Sequence, residues 1–445
     1  MSIHPLKLVD GSQVRDDFVP KHDYLSRDFA KLEEDRLWTR VWQIACREEE
    51  IPNVGDYVTY DIVDESIVVV RSAAKEIRAF YNVCQHRGRR LTNGCGVMKE
   101  FACRYHGWRY DLQGRNTLVV DRNDWKECLR DGDSDLKQVK VDTWGGYVFI
   151  NMDPNAEPLL EFLSPVPELL KSYEFEKLRY RWYRTVVYPC NWKVLQEGFD
   201  EAYHVQTTHP QILEFLNDYS VSESYGRHSA FYYPLPDGMQ SRFGPSKRLG
   251  KPGHTDYRKY ILVYMKEMHE QLGAMVTPRS YEAAQRLVDE LPASASSGEV
   301  LSKLRQLQRE AAEADGAGWP NLTPEEIEKS RVDWHVFPNH IFLHTAVDGV
   351  LAYRVRPDGH NPDSCIFDVW SLMRYGPGKE PPLKREFYKD WHDADWGRIL
   401  TQDFVNLSEV QKGMKSRGFS GARPNPVQER AVSNFHRVLH EFIGG

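Results

Sequence analysis

At 445 residues the chain is longer than one hydrophobic core usually serves, so two domains are expected, large enough to fold without disulfide staples. Hydrophobic residues make up 41%, charged residues 28% and aromatics 12%, a globular composition with aromatic side chains to spare for an apolar pocket. A net charge of −7 offers no bulk attraction to nucleic acid or anionic membrane, no run reaches the ~18 apolar residues of a membrane span, and MSIHPLKLVDGSQVRDD lacks the apolar core of a secretion signal, so a cytoplasmic protein is expected.

In chain order, residues 24–42 (YLSRDFAKLEEDRLWTRVW) space Phe29, Leu32, Leu37 and Val41 at helical intervals and predict a leading helix. DYVTYDIV, SIVVVRS and IRAFYNV are short, β-branched or aromatic and broken by turn residues, as strands of a small antiparallel domain are. GGYVFINMD (Gly145 to Asp153) closes that region, and PNAEP leads out of it. Beyond about residue 155 longer helices mix with strands. EVLSKLRQLQREAAEA puts Val300, Leu304, Leu307 and Ala311 on one face, a core-packing stripe, and Thr323-Pro324-Glu325-Glu326 has the form of a capping box with Pro at the first helical position. ASASSG (Ala293 to Gly298) reads as a flexible loop, while HVFPNHIFLHTA, LAYRVRP and CIFDVWSLMRY predict strands of a larger antiparallel sheet. The fold class is therefore α+β: a small antiparallel β domain followed by a larger domain whose antiparallel sheet is flanked by helices.

Seven cysteines, an odd number scattered along the chain, argue for a reducing compartment rather than a disulfide framework. Cys46, Cys95, Cys128, Cys190 and Cys365 have no histidine at close spacing and read as small hydrophobes. Cys84-x-His86, 16 intervening residues and Cys103-x-x-His106 form two loops, each contributing one thiolate and one imidazole. A zinc finger would instead put both Cys on one side and both His on the other. The interleaved order suits a Rieske [2Fe–2S] cluster, in which Cys holds one iron and His the other. Gly88, Gly94, Gly96 and Gly107 are expected to let loop backbone approach the sulfides, and Trp108 to shield the cluster from water. Respiratory-complex Rieske proteins add a second Cys to each loop; Arg89 and Tyr105 stand at those positions here, which points to the lower-potential cluster of oxygenases and their ferredoxins.

NWKVLQEGFDEAYHVQTTHP (Asn191 to Pro210) reads as a helix ending near His204, with Glu201 and His204 on one face and His209 five residues further on. Two His and one carboxylate on one octahedral face leave positions open for O2 and substrate, the arrangement of non-haem Fe(II) oxygenases. With both constellations in hand, the chain resembles the α subunit of Rieske non-haem iron oxygenases, of the aromatic-ring-hydroxylating type, over essentially its whole length. The resemblance implies Cys84, His86, Cys103 and His106 as ligands of a [2Fe–2S] cluster, and His204 and His209 as ligands of a mononuclear Fe(II). It implies Asp403, in TQDFVNLSEVQKGMKSRGF, as the third iron ligand, with Asp393 and Asp395 as competitors on the same stretch. It makes Glu201 the acidic residue linking an iron-site histidine to a cluster histidine of the neighbouring subunit in a head-to-tail homotrimer. Many relatives carry Asn where Gly198 stands.

The domain limits expected are an N-terminal helical segment, 1–40, packing on the catalytic domain, a Rieske domain over 41–153 and a catalytic mononuclear-iron domain over 154–445. No G-x-G-x-x-G follows a predicted strand, so electrons are expected from a separate NAD(P)H-dependent reductase, directly or through a ferredoxin. An apolar pocket is expected from QILEFLNDYS, HVFPNHIFLH and the residues before Asp403. The expected activity is a terminal oxygenase that hydroxylates an aromatic or other apolar small molecule, on a ring or on an alkyl group lost by N- or O-dealkylation. A small β subunit fits this pattern as an optional partner. The competing expectation is a Rieske electron carrier or redox sensor without catalytic iron.

Overall fold

The structure, a computed structural model, describes residues 15–234, 242–249 and 256–444. They form two compact units: Glu33–Pro167, and the described residues up to Leu32 together with those from Glu168 onward. The smaller unit is therefore wider than 41–153. Gln43 Nε2 donates to Trp38 O at 2.6 Å and holds the segment before the first strand. Trp42 Nε1 donates to Glu157 O at 2.9 Å and Lys140 Nζ to Ala156 O at 2.6 Å, which hold the segment after the last one.

One helix over 24–42 is not what forms. Ser26 has extended backbone, φ −80° and ψ 126°, and its hydroxyl accepts from Phe29 N at 3.2 Å, so it ends one helix and caps the next. Short helices run over His22–Leu25 and Arg27–Leu32, then a π-wound turn over Glu33–Trp38.

The smaller unit is built from β1 (Gln43–Arg47), β2 (Asp56–Ile62), β3 (Glu65–Ala73), β4 (Glu76–Tyr81), β5 (Cys95–Val97), β6 (Phe101–Ala102), β7 (Arg109–Tyr110), β8 (Asn116–Leu118), β9 (Gln138–Trp144) and β10 (Tyr147–Asn151). Seven strands pair in the order β1-β10-β9-β4-β3-β2-β5, every pairing antiparallel, and β6-β7-β8 form a second small sheet. Alternate residues of β2, among them Val58, Tyr60 and Ile62, are buried, as a half-solvated antiparallel strand requires. Val68, Val70, Phe80, Phe101 and Leu136 form a core that also encloses Cys84 and Cys103.

The larger unit contains β11 (Arg179–Tyr188), β12 (Val221–Tyr225), β13 (His228–Tyr232), β14 (Asp333–Val336), β15 (His340–Ala346), β16 (Gly349–Asp358), β17 (Asn361–Met373) and β18 (Arg385–Tyr388). Their order is β12-β13-β14-β15-β16-β17-β11-β18, antiparallel except that the edge strand β18 runs parallel to β11. Helices α1 (Trp192–Glu197), α2 (Val205–Thr208), α3 (Gly397–Met414) and α4 (Arg430–Gly444) pack around this sheet with other helices, among them Ser297–Ala314 and Pro324–Lys329.

Two local expectations change. Ser296 and Glu299 exchange bonds, Ser296 N donating to the carboxylate and Glu299 N to the hydroxyl, so ASASSG ends in a capping box that starts Ser297–Ala314. On that helix Val300, Leu304 and Leu307 are buried as expected, but Ala312 rather than Ala311 completes the face. The capping box at Thr323 and Glu326 forms as read. No helix among the described residues is long and apolar enough to cross a membrane, and all seven cysteines are free.

Candidate functional site

The two Cys–His loops share one backbone design. In each, the N–H of a glycine four residues after Cys donates to the Cys carbonyl at 3.0 Å (Gly88 to Cys84, Gly107 to Cys103). The Cys N–H donates to the next residue's carbonyl, Arg89 at 2.9 Å and Trp108 at 2.8 Å. Gly88 and Gly107 sit at φ +72° and +76°, where other residues are strained, so both glycines are needed to close the turns. Gly96 serves a different end from the one expected: a Cβ there would stand 3.2 Å from the Tyr57 ring.

The rings of His86 and His106 meet edge to face at 4.5 Å, and His86 stacks on the buried Trp108 at 4.9 Å. The Nδ1 atoms of both histidines are buried without hydrogen-bond partners. Two orphaned imidazole nitrogens beside two buried thiols fit a cluster that takes two N and two S ligands. Burial lifts the Cys84 thiol above its ordinary pKa, whereas at Cys103 the backbone N–H groups of Tyr105 and His106 and the Cys84 contact outweigh burial and lower it. Tyr110, which sequence reasoning missed, places its hydroxyl 3.3 Å from Cys84 Sγ and accepts from Gln85 N at 3.1 Å. With that acceptor role filled, the Tyr110 proton is free to point at the sulfur.

In the larger unit, α1 starts at Asn191, whose Oδ1 accepts from Lys193 N at 3.0 Å while its Nδ2 donates to Tyr24 O and Pro362 O. The helix stops at Glu197, well short of His204. Glu201 competes with it: its Oε2 accepts from Tyr203 N and His204 N, making a tight turn that opens α2 with His204 at its N-cap. The Glu201–His204 contact expected from a shared helix face is thus made by a turn, His204 Nδ1 donating to Glu201 Oε1 at 2.6 Å. Gly198 lies just past α1, where a Cβ would stand 2.7 Å from Leu407 Cδ2; Leu407 fills the space that a side chain here would need.

Asp403 arrives on α3. Its Oδ1 lies 2.9 Å from His209 Nε2 and 3.6 Å from His204 Nε2, and one ligand atom from each of the three residues falls within 4.8 Å of the others. Adjacent ligands of an octahedral ion with bonds of about 2.1 Å stand about 3 Å apart, so the spacing suits one cation. The other ring nitrogen is used in each case: His204 Nδ1 on Glu201, and His209 Nδ1 on Gln402 Oε1 at 2.9 Å, an oxygen that Gln211 Nε2 also reaches at 2.9 Å. Both imidazoles are thereby turned Nε2-first toward Asp403. Burial disfavours the His204 imidazolium, yet Glu201, with Asp403 beyond it, outweighs burial and pushes its pKa up to about 9, a measure of how strongly the site draws positive charge. Asp393 and Asp395 are exposed; Asp395 accepts from Gly397 N at 2.8 Å and caps the start of α3.

A cavity of about 130 Å³ opens beside Glu201, His204, His209 and Asp403. Ile212, Leu216, Leu343 and Ile399 come from the expected segments, while Phe215 and Phe337 do not line it. Sequence reasoning missed the walls from Phe231, Tyr264, Met268, Met275 and Tyr353 and the charged pair Arg242 and Asp333. Arg242 lies 3.8 Å over the Tyr233 ring and donates to its hydroxyl at 2.9 Å. Arg242 Nε and Asp333 Oδ1 are buried without partners, and burial, offset in part by Arg242, lifts the Asp333 carboxyl to about 7.

Residues 175–445 match the ring hydroxylating alpha subunit (catalytic domain) family, and residues 41–126 match the Rieske [2Fe-2S] domain. The chain belongs to the ring-hydroxylating alpha-subunit family. Its pair of domains carries a Rieske [2Fe–2S] cluster and a mononuclear iron. It is 36% identical over 200 residues to the carnitine monooxygenase oxygenase subunit of Escherichia coli strain K12, covering 43% of this chain and 52% of that protein. It is 33% identical over 209 residues to the glycine betaine monooxygenase oxygenase subunit of Chromohalobacter salexigens, covering 47% and 46%. It is 32% identical over 244 residues to the benzene 1,2-dioxygenase subunit alpha of Pseudomonas putida, covering 50% and 54%. The chain thus spans about half the length of the curated relatives it matches. Its fold is that of a quaternary ammonium Rieske monooxygenase solved with L-carnitine (TM-score 0.65, 19% identity, 99% of both chains) and of a naphthalene 1,2-dioxygenase from Rhodococcus sp. bound to indole (TM-score 0.62, 20%, 96% and 94%).

Proposed function

We propose that the chain is the terminal oxygenase of a multicomponent system, hydroxylating a small organic molecule with O2 and electrons from a separate NAD(P)H-dependent reductase, directly or through a ferredoxin. The observation that carries this reading is the convergence of His204 Nε2, His209 Nε2 and Asp403 Oδ1 on the wall of a largely apolar cavity. His204, His209 and Asp403 are the proposed iron ligands, and Cys84, His86, Cys103 and His106 those of the cluster. When bound, the cluster supplies electrons one at a time and the mononuclear iron supplies dioxygen activation.

The chain's own residues do the rest. Glu201 and Gln402 hold the two imidazoles in one tautomer and one orientation. The aromatic and aliphatic wall seats the apolar part of the substrate and keeps water out. Arg242 Nε and Asp333 Oδ1, each without a partner at that wall, favour a substrate that also carries a polar or charged substituent. Hydroxylation of a ring, and hydroxylation of an alkyl carbon followed by N- or O-dealkylation, are both within reach of this cavity, and relatives named monooxygenase and dioxygenase stand on either side.

Glu201 is further proposed to link His204 to a cluster histidine of the next subunit in a head-to-tail homotrimer, with or without a β subunit. The cleft lined by His86, His106, Asp124 and Trp125 would receive that neighbour or the electron donor. Free cysteines and a chain without a membrane-crossing helix among its described residues support a cytoplasmic location.

The test is a substrate screen with a surrogate reductase, reading O2 uptake and product mass, on protein assayed for metal. About three irons and about two acid-labile sulfides per chain, with substrate-dependent O2 uptake, are expected. About two irons and two sulfides, with no product, would return the chain to the electron-carrier reading.

A further inference from the structure

Far along the chain from His204, the larger unit repeats the same donor types in a sealed place. Asp23 lies on the short helix His22–Leu25, and His436 and His440 lie one turn apart on one face of α4. One ligand atom from each falls within 4.8 Å of the others, and all three side chains are buried. Asp23 Oδ2 is the common vertex, 2.7 Å from His440 Nε2 and 3.7 Å from His436 Nδ1. The longer distance is not a hydrogen bond. His436 is wholly buried, yet its Nδ1 has no partner.

The opposite edge of that ring is fully used. His436 Nε2 lies 2.6 Å from Glu197 Oε1, and Glu197 Oε2 accepts from Tyr24 OH at 2.9 Å. The Glu197 carboxylate on Nε2 fixes the ring's orientation, so that Nδ1 can ligate an incoming cation in exchange for its proton, as in carboxylate–histidine–metal arrangements. Nδ1 faces Asp23 Oδ2. Ligands of a tetrahedral ion with bonds of about 2.0–2.1 Å stand about 3.4 Å apart, inside the range observed here. Two imidazoles and one carboxylate, with no sulfur, suit zinc and similar divalent ions. The charge balance also fits, because the neighbourhood already holds Asp23 and Glu197, with Glu429 close enough to feel Glu197. His22 Nδ1, 3.7 Å from Asp23 Oδ1, is the remaining titratable group at the vertex.

We propose that Asp23, His436 and His440 bind a divalent cation of the zinc class, separate from the iron site, which ties the N-terminal segment to α4. Through His436 the same ion would brace Glu197, the last residue of the helix that leads into the Glu201 turn.

The test uses the purified iron-loaded protein, incubated with zinc chloride and desalted, with zinc, iron and sulfide measured on one sample. The expected result is about one zinc per chain gained with no iron lost, and X-ray absorption at the zinc edge showing imidazole and oxygen neighbours without sulfur. Asp23→Asn and, separately, His440→Gln should each lose that zinc and keep iron and sulfide. If neither variant folds, the absorption spectrum of the unaltered protein decides. Zinc gained one for one against iron, zinc held by sulfur, zinc retained in both variants, or less than about a tenth of a zinc per chain would each overturn the proposal.

Discussion

His204, His209 and Asp403 and the set Asp23, His436 and His440 use the same three side-chain types, and in each set a carboxylate fixes the far edge of one imidazole. In both, a histidine is driven up to about 9, burial being outweighed by Glu201 and Asp403 around His204 and by Glu197 and Asp23 around His436. They differ in access. The His204 side chain keeps 25% of its exposure and borders the cavity, whereas His436, His440 and Asp23 keep 0 to 2%. The donor set decides whether a cation is held; the opening beside it decides whether that cation can meet a substrate.

Asp403→Ala should break the open set outright, dropping iron from about three to about two per chain and abolishing product, while the unfolding temperature stays within a few degrees. Metal analysis and calorimetry check this; iron held at full occupancy would remove Asp403 from the ligand set. Glu201→Gln should leave both metals bound and cut kcat by about 100-fold or more, because the orientation of His204 and the proposed link to a neighbouring subunit are lost while the proposed ligands remain. Full activity there would reduce Glu201 to a turn former. Asp23→Asn strikes the sealed set and should cost about 3–5 kcal/mol of stability, since buried imidazoles lose their counter-charge, while iron content per folded chain is unchanged. Denaturant titration beside metal analysis separates the two effects.

Gln402→Ala should weaken iron binding by about 10- to 100-fold without changing the fold, because only the far edge of His209 is released. Chelator competition reads that shift, and an unaltered affinity would mean that α3 alone positions the ring. Smallest of all, Gly198→Ala should cost about 1–3 kcal/mol through the Leu407 clash, and Leu407→Ala in the same chain should recover part of it.

What could be read from the sequence followed how local each feature is. Both Cys–His loops and the Glu201, His204, His209 run lie within short stretches, so residue type and spacing marked the loops outright and the run as a candidate, to which the family resemblance gave its roles. Asp403 lies nearly two hundred residues from His209, and only the family resemblance separated it from Asp393 and Asp395. Tyr110 and Gln402 carry no sequence mark: a tyrosine and a glutamine become partners of Cys84 and His209 only when the fold brings them there. Helix periodicity ran α1 on to His204 because it does not weigh a carboxylate that bonds its own backbone, which Glu201 does. Strands β2, β3, β4 and β10 of the smaller unit and β15, β16 and β17 of the larger were legible from alternation and β-branching, whereas β1, β9, β11, β12 and β13, along with the short strands of the smaller unit and the half-exposed parallel edge strand Arg385–Tyr388, were not read. Arg242 and Asp333 escaped for the same reason as Gln402, since a charged residue looks solvated until its surroundings are known.

The most direct test of the central claim reduces the iron-loaded protein chemically, removes the reductant, adds substrate and O2, and follows the cluster absorbance together with product. The account predicts product formed as the cluster reoxidises in the unaltered protein, and in Glu201→Gln a cluster that stays reduced while iron remains bound and product is absent. Product forming at an unaltered rate in Glu201→Gln, or in Asp403→Ala without its iron, would contradict it.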